Sequence, residues 1–134
     1  MISTIFEDIQ RHLSLLDLAL ASSIKITSLA KNENLDGLVN ETDNRERLVN
    51  LIGQFQQAIE NQINQINAAE LSSNDINILK TWFEDLANWS EKMIEQDRLT
   101  VELLAQQKES TTKEIAVVYK NKESLKGYNH SAKK

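Results

Sequence analysis

An all-α chain, an antiparallel three-helix bundle of long helices with a C-terminal helical extension or arm, is what this sequence predicts. Three observations carry that prediction. Proline is absent and only 3 glycines occur in 134 residues, so the usual internal helix breakers are missing. Apolar side chains recur at steps of three and four over three long stretches, the period of one buried helical face. The third stretch outruns the other two, pauses in a polar run, and then becomes apolar again.

Helix 1 is expected over about residues 4–31. Thr4 and Glu7 have capping-box spacing, and the apolar line runs Ile5, Ile9, Leu13, Leu16, Leu20 and Ile24, with Phe6 beside it. Lys31, Asn32, Glu33 and Asn34 form a polar turn. Helix 2 follows over about residues 35–69, with a seam of Leu38, Val39, Leu48, Val49, Ile52, Phe55, Ile59, Ile63 and Ile66. Within that seam Thr42 and Arg45 are polar. Glu41 with Arg45, and Asp43 with Arg47, stand four apart with the acid first, the favourable order on a solvated helical face. Ser72 and Asp75 cap helix 3, expected over about residues 74–112, whose inner face carries Leu79, Phe83, Leu86, Trp89 and Met93, then Val101 and Leu104.

At about 1.5 Å per residue, helices 1 and 2 measure roughly 42 and 52 Å, and helix 3 roughly 70 Å if it reaches Asn121. A turn near residues 70–73 then sets Leu35 beside about Lys108. The polar run Gln106 to Glu114 begins at the same place. Residues 1–112 are therefore read as a helical bundle and 113–134 as a C-terminal amphipathic arm and basic tail. Bare in water, the arm's large apolar groups forgo roughly 1.5–3 kcal/mol each. Such an arm folds back, pairs with a second copy, or holds another protein.

Charge divides along the same line. Residues 1–112 carry 9 basic and 18 acidic groups, whereas the tail carries 6 lysines against 2 glutamates. An acidic body argues against nucleic acid as a partner, since phosphate contact needs clustered lysine and arginine. No uninterrupted apolar run approaches the roughly 20 residues that span a bilayer, and the acidic start is unlike a secretory leader. The expectation is a cytoplasmic protein without membrane insertion.

No catalytic constellation is legible, so no enzymatic activity, cofactor or metal is expected. His12 and His130 are far apart, and neither has a carboxylate at the Glu-x-x-His spacing of helical metal sites. His12 suggests a histidine phosphotransfer helix, but its neighbours Leu13, Ser14, Leu15 and Leu16 lack the basic and small residues expected there. A surface histidine is the simpler reading. Trp82 and Trp89, seven apart, read as core packing rather than as a ligand-stacking pair.

Three segments, in order, carry a family resemblance. Leu29-Ala30-Lys31-Asn32-Glu33-Asn34-Leu35-Asp36-Gly37-Leu38 followed by Asn44-Arg45-Glu46-Arg47-Leu48-Val49-Asn50-Leu51-Ile52 gives a small break and an Arg-x-Arg-Leu entry to helix 2. Glu95-Gln96-Asp97-Arg98-Leu99-Thr100-Val101-Glu102-Leu103-Leu104 is acidic and then apolar, and Lys122-Glu123-Ser124-Leu125-Lys126-Gly127-Tyr128 closes the chain. The pattern resembles flagellar type III export chaperones of the FliT and FlgN type. The resemblance implies a chaperone that holds the C-terminal helical segment of a late flagellar substrate and delivers it to the type III export apparatus. That client is the filament cap protein in the FliT type, towards which compact length and residues 95–104 lean, or a hook-associated junction protein in the FlgN type. It also implies docking to an export-gate or export-ATPase component, with Tyr128 matching the terminal tyrosine of the FlgN type.

An amphipathic client helix would then lie between helices 2 and 3. The groove candidates are Leu99, Val101, Leu103 and Leu104. The regulatory or export-gate arm candidates are Ile115, Val118, Tyr119, Leu125 and Tyr128. The structural alternative is a self-associating bundle in which the arms of two chains pair.

Overall fold

In the computed structural model the backbone is described for residues 2–126 and the side chains up to residue 117. The described residues hold three long helices, α1 (Ile2–Lys31), α2 (Leu35–Asn64) and α3 (Ser73–Lys126), a 3₁₀ turn at Ala68–Glu70, and no strand. The all-helical class predicted from the sequence is observed. The chain divides into two units, Met1–Thr100 and Val101–Lys134.

The inward lines of the first unit alternate steps of four and three. In α1 the buried line is Ile5, Ile9, His12, Leu16, Ala19, Ser23, Ile26 and Ala30. In α2 the same alternation passes through Leu38, Glu41, Arg45, Leu48, Ile52, Phe55, Ile59 and Gln62, all buried or half-buried. In α3 it passes through Leu79, Trp82, Leu86, Trp89, Met93, Gln96 and Thr100. A repeat of seven keeps one face towards its neighbours over many turns. The predicted α1 line took successive steps of four, which rotate about 40° further round the helix each time. It therefore drifted, and Ile24 is exposed where a seam residue was expected. Phe83, a step of four beyond Leu79, is exposed likewise, and Val39 is exposed beside the inward Leu38.

Two apolar clusters occupy the first unit. One contains Ile5, Ile9, Ile59, Leu79 and Trp82, with Ile63, Ile66 and Leu71 packed on it. The other contains Leu16, Ala19, Ile52 and Met93, with Leu48, Leu86 and Trp89 beside it. Each draws on all three helices. By length and composition α1 can cross a membrane, with a mean hydropathy of 1.4 over its most apolar window. The sequence expectation, which considered only uninterrupted apolar runs, missed this. Its buried side chains face α2 and α3 across the two clusters.

The helix ends follow from local chemistry. α1 stops in a Schellman arrangement: Asn34 N–H reaches the Leu29 carbonyl (3.0 Å) and Glu33 N–H reaches Ala30 (3.1 Å). Glu33 takes the left-handed position at φ 56°. Asn34 caps α2 by accepting from Gly37 N–H at 2.9 Å. A Cβ on Gly37 would lie 2.9 Å from the Asn34 amide and 3.0 Å from a Leu29 methyl, so the cap and the turn pack over a bare backbone.

The expected reciprocal cap of α3 forms, with Asp75 N–H donating to Ser72 Oγ (3.0 Å) and Ser72 N–H to Asp75 Oδ2 (3.1 Å). Thr4 and Glu7 form no capping box, because α1 already begins at Ile2, which packs on the first cluster. α2 ends at Asn64, five residues short of expectation. Asn67 accepts from Ala69 N–H at 3.1 Å and seeds the 3₁₀ turn instead.

Glu33→Gly relieves a left-handed side chain and is expected to raise unfolding free energy by roughly 0.5–1 kcal/mol. Ile59→Ala, at the centre of the first cluster, is expected to cost about 2–5 kcal/mol. Urea denaturation of both variants checks sign and order.

Candidate functional site

Beyond Ala19 the inward lines turn polar, and the three helices of the first unit meet through a layer of hydrogen bonds. Glu41 is the acid of this layer. Its Oε2 accepts from Ser22 Oγ (2.6 Å) and Asn44 Nδ2 (2.8 Å), while Oε1 lies 3.1 Å from Lys25 Nζ. The Ser22 bond, then the Asn44 bond, and after them Lys25 hold this carboxyl down at about 2, against a smaller opposing effect of burial.

Arg45 is the base of the layer. It donates through Nε to Ser23 Oγ (2.8 Å) and through NH2 to Asp97 Oδ2 (2.8 Å), joining α1, α2 and α3. Ser23 Oγ donates in turn to Met93 Sδ at 3.3 Å. Gln96 Nε2 donates to Thr27 Oγ1 (2.6 Å), and the Thr27 and Thr100 hydroxyls share a bond of 2.7 Å. The expected solvated face with Glu41–Arg45 and Asp43–Arg47 pairs is corrected: Glu41 and Arg45 bind other helices, and no Asp43–Arg47 ion pair is present among the described residues. Both residues sit on the inward line of α2, whereas Thr42, read as a seam position, is exposed and donates to the Leu38 carbonyl.

His12 is not on the surface. It is fully buried. Nδ1 accepts from Trp82 Nε1–H at 3.0 Å, and the two rings meet edge-on with centroids 5.5 Å apart. A neutral imidazole whose Nδ1 accepts carries its hydrogen on Nε2, and Nε2 has no partner within hydrogen-bond geometry. Burial, which disfavours the cation, lowers the His12 pKa; the Ile52 carbonyl and the Glu60 charge oppose it less strongly. A phosphotransfer histidine must be reachable by its donor, and His12 is enclosed. Trp82 is buried and Trp89 half-buried, its Nε1–H donating to the Leu16 carbonyl at 2.9 Å, so both serve packing as expected.

The groove and arm candidates have a different character. Leu99 and Val101 are exposed, Val101 at 65 %, while Leu103 and Leu104 are half-buried. Helical spacing sets Leu99 with Leu103 and Val101 with Leu104, giving two strips on different sides of the helix rather than a single line. The polar run from Gln106 to Glu114 stays helical, tied by Lys113 to Glu109 (3.2 Å) and by Thr112 Oγ to the Lys108 carbonyl (2.9 Å). Ile115 is 52 % exposed, and Val117, which the sequence reading passed over, 56 %. The side chains of Val118, Tyr119 and Leu125, and all of Tyr128, lie outside the described residues.

No cluster of His, Cys, Asp and Glu capable of holding a metal occurs among the described residues. Compared with protein-family models, with curated proteins and with solved structures, the chain gives no match.

Arg45→Ala removes the charged donor to buried Ser23 and is expected to cost about 1.5–3 kcal/mol. Asp97→Ala, removing a half-exposed partner, is expected to cost under about 1 kcal/mol. Between the ordinary glutamate pKa of 4.5 and about 2 the unfolded chain takes up a proton that folded Glu41 refuses. Stability therefore falls as the pH drops through that window. Glu41→Gln should flatten this loss, which equilibrium unfolding at a series of pH values will show.

Proposed function

We propose that this protein is a cytoplasmic flagellar export chaperone of the FliT or FlgN type, and that residues 99–128 carry its recognition surface. One observation supports this reading above the others. α3 continues as a helix of 54 residues, against 30 in each of α1 and α2, and its later part presents Leu99, Val101, Ile115 and Val117 to solvent. The Arg-x-Arg-Leu segment behind the family resemblance also contributes Arg45, which ties the three helices together.

In this reading the helices alternate in direction. Supporting pairs are Gln62 with Asp8, Arg45 with Ser23, and Arg45 with Asp97. A client helix from the C-terminus of a filament cap protein is anchored at three- and four-residue spacing on Leu99, Val101, Leu103 and Leu104. Four well-buried anchors contribute roughly 6–12 kcal/mol gross. Association and ordering offset much of that. A net affinity near micromolar, about −8 kcal/mol, suits a carrier that must release its client. Ile115, Val118, Tyr119, Leu125 and Tyr128 then regulate access or engage the export gate or its ATPase.

Pull-down from a flagellated lysate, with the bound proteins identified by mass, tests the assignment. Recovery of a cap or hook-associated protein, with light scattering showing a monomer that becomes a one-to-one complex, is the expected result. A stable dimer that ignores such clients points instead to a self-associating structural bundle. Deleting residues 113–134 should leave a cooperative thermal transition by circular dichroism while changing partner binding. Tyr128→Ala should spare the client and weaken recruitment to the gate.

A further inference from the structure

His12 is enclosed by three helices; Trp82 satisfies Nδ1, while the Ile52 carbonyl, which favours a proton on the ring, falls outside hydrogen-bond geometry to Nε2. From α1 itself, Asp8 lies one turn away and is occupied by Gln62 Nε2 (3.0 Å) and Arg11 (3.5 Å). From α2, Glu60 acts on the ring through its charge, and its carboxylate accepts from Gln56 Nε2 at 3.1 Å. From α3, Lys80 and Glu84, each two residues from Trp82, are exposed, and half-buried Asp85 stands one turn beyond it. The described bonds place no carboxylate on Nε2 to receive an imidazolium proton. A histidine built to stay charged is given an acid partner. This one is given an indole donor, which only the neutral ring can accept.

We propose that the His12–Trp82 bond is a proton-sensitive latch on the Ile5–Ile9–Ile59–Leu79 end of the first unit: a proton taken up at Nδ1 breaks the bond and loosens that end of the core. The balance is simple. In the neutral state Trp82 Nε1–H donates to the Nδ1 lone pair. A proton from water occupies the same lone pair, so two N–H groups then face each other and the Trp82 donor is left without an acceptor. Breaking one such buried bond strands both partners together.

Trp82 is also the floor of a hollow of about 330 Å³ between α1 and α3, lined further by Ile9, Leu13, Ile78 and Thr81. Loosening the indole opens that hollow, so the latch turns acidification into exposure of apolar surface. The proposal is independent of the chaperone reading, because it concerns residues 5–82 and holds whatever partner residues 99–128 engage.

The direction with pH follows from linkage. Folded His12 titrates below its ordinary value of 6.5. Just below that value the unfolded chain binds a proton that the folded core refuses. Stability is therefore complete above about pH 7 and falls as pH drops through 6.5 to the lower folded pKa, by up to about tenfold in the folded-to-unfolded ratio per pH unit. This loss sets in at higher pH than that of Glu41.

The test uses the full chain. Nitrogen-15 NMR of the imidazole at pH 7.5 is expected to show the Nε2–H tautomer and, on acidification, a midpoint below 6.5. Hydrogen exchange at pH 7.5 and 5.5, corrected for intrinsic rates, should show that acidification accelerates opening more around His12 and Trp82 than around Arg45. His12→Gln keeps an acceptor for the indole but does not titrate, and should erase the stability change between pH 7.5 and 5.5. An imidazole of the other tautomer, or one titrating at 6.5 or above in the native chain, overturns the proposal even if His12→Gln fails to fold. So does uniform acceleration of exchange across both ends, or an unchanged pH profile in a folded His12→Gln.

Discussion

Steps of four and three, alternating along α1 and α2, put an imidazole, a serine, a carboxylate and a guanidinium on lines that elsewhere carry isoleucine and leucine. Everything else in the first unit depends on those groups finding partners. A buried polar group left alone costs about as much as a lost side-chain contact gains, and a buried charge costs more. Arg45 meets the condition by spanning Ser23 on one side and Asp97 on the other, and Glu41 by collecting Ser22, Asn44 and Lys25. These bonds are directional in a way that apolar contacts are not. Sliding α2 by one turn would leave Ile59 near other apolar groups but would strand both charges. The polar layer therefore fixes the relative register of the helices, while the apolar clusters supply most of the stabilisation.

The first unit is graded from one end to the other. Around Ile5, Ile59 and Trp82 the core is apolar and large side chains fill it; around Thr27, Arg45 and Thr100 it is built from hydroxyls, an amide and charges. Opening the apolar end exposes surface that water penalises in proportion to its area. Opening the polar end exchanges protein hydrogen bonds for water hydrogen bonds at smaller net cost. Local opening of the unit is thus expected to begin at the Arg45 end at neutral pH. His12 is a fully buried polar group in the apolar end, and through it that end is proposed to respond to protons where the other responds to carboxylate protonation.

Much of the fold was legible in the sequence because helices announce themselves by period. The three elements, the turn at residues 31–34 and the Ser72–Asp75 cap were all readable from spacing and residue type. The inward line of α1 was not, because the reading admitted only apolar residues and so followed Leu13, Leu20 and Ile24 round the helix instead of His12, Ala19 and Ser23. Strict alternation of four and three, applied without regard to polarity, finds His12 and Glu41 as well as Arg45, which the seam of helix 2 already included. The termination of α2 was lost for a different reason: Asn67 competes for the backbone through its own side chain, and nothing in the periodicity of Ile59, Ile63 and Ile66 registers that competition. At the candidate recognition surface, the sequence supplied the residues but not their two-strip arrangement.

Exposed apolar residues occur in both units, and their settings differ. Leu18, Ile24 and Phe83 stand on helices that already bury another line of side chains, and single exposed apolar groups on such helices are ordinary. Between Lys108 and Val117 no described residue is buried, so Ile115 and Val117 belong to a stretch without a buried line of its own. A helix in that condition has only intrinsic propensity and pairs such as Glu109–Lys113 to stabilise it, and those contribute tenths of a kcal/mol each. Most helical stability in proteins comes instead from burying an amphipathic face. A sequence that keeps large apolar groups at three- and four-residue spacing in such a stretch gains from them only when another surface covers them. That is the physical ground for assigning recognition to the later part of α3 and packing to the earlier part.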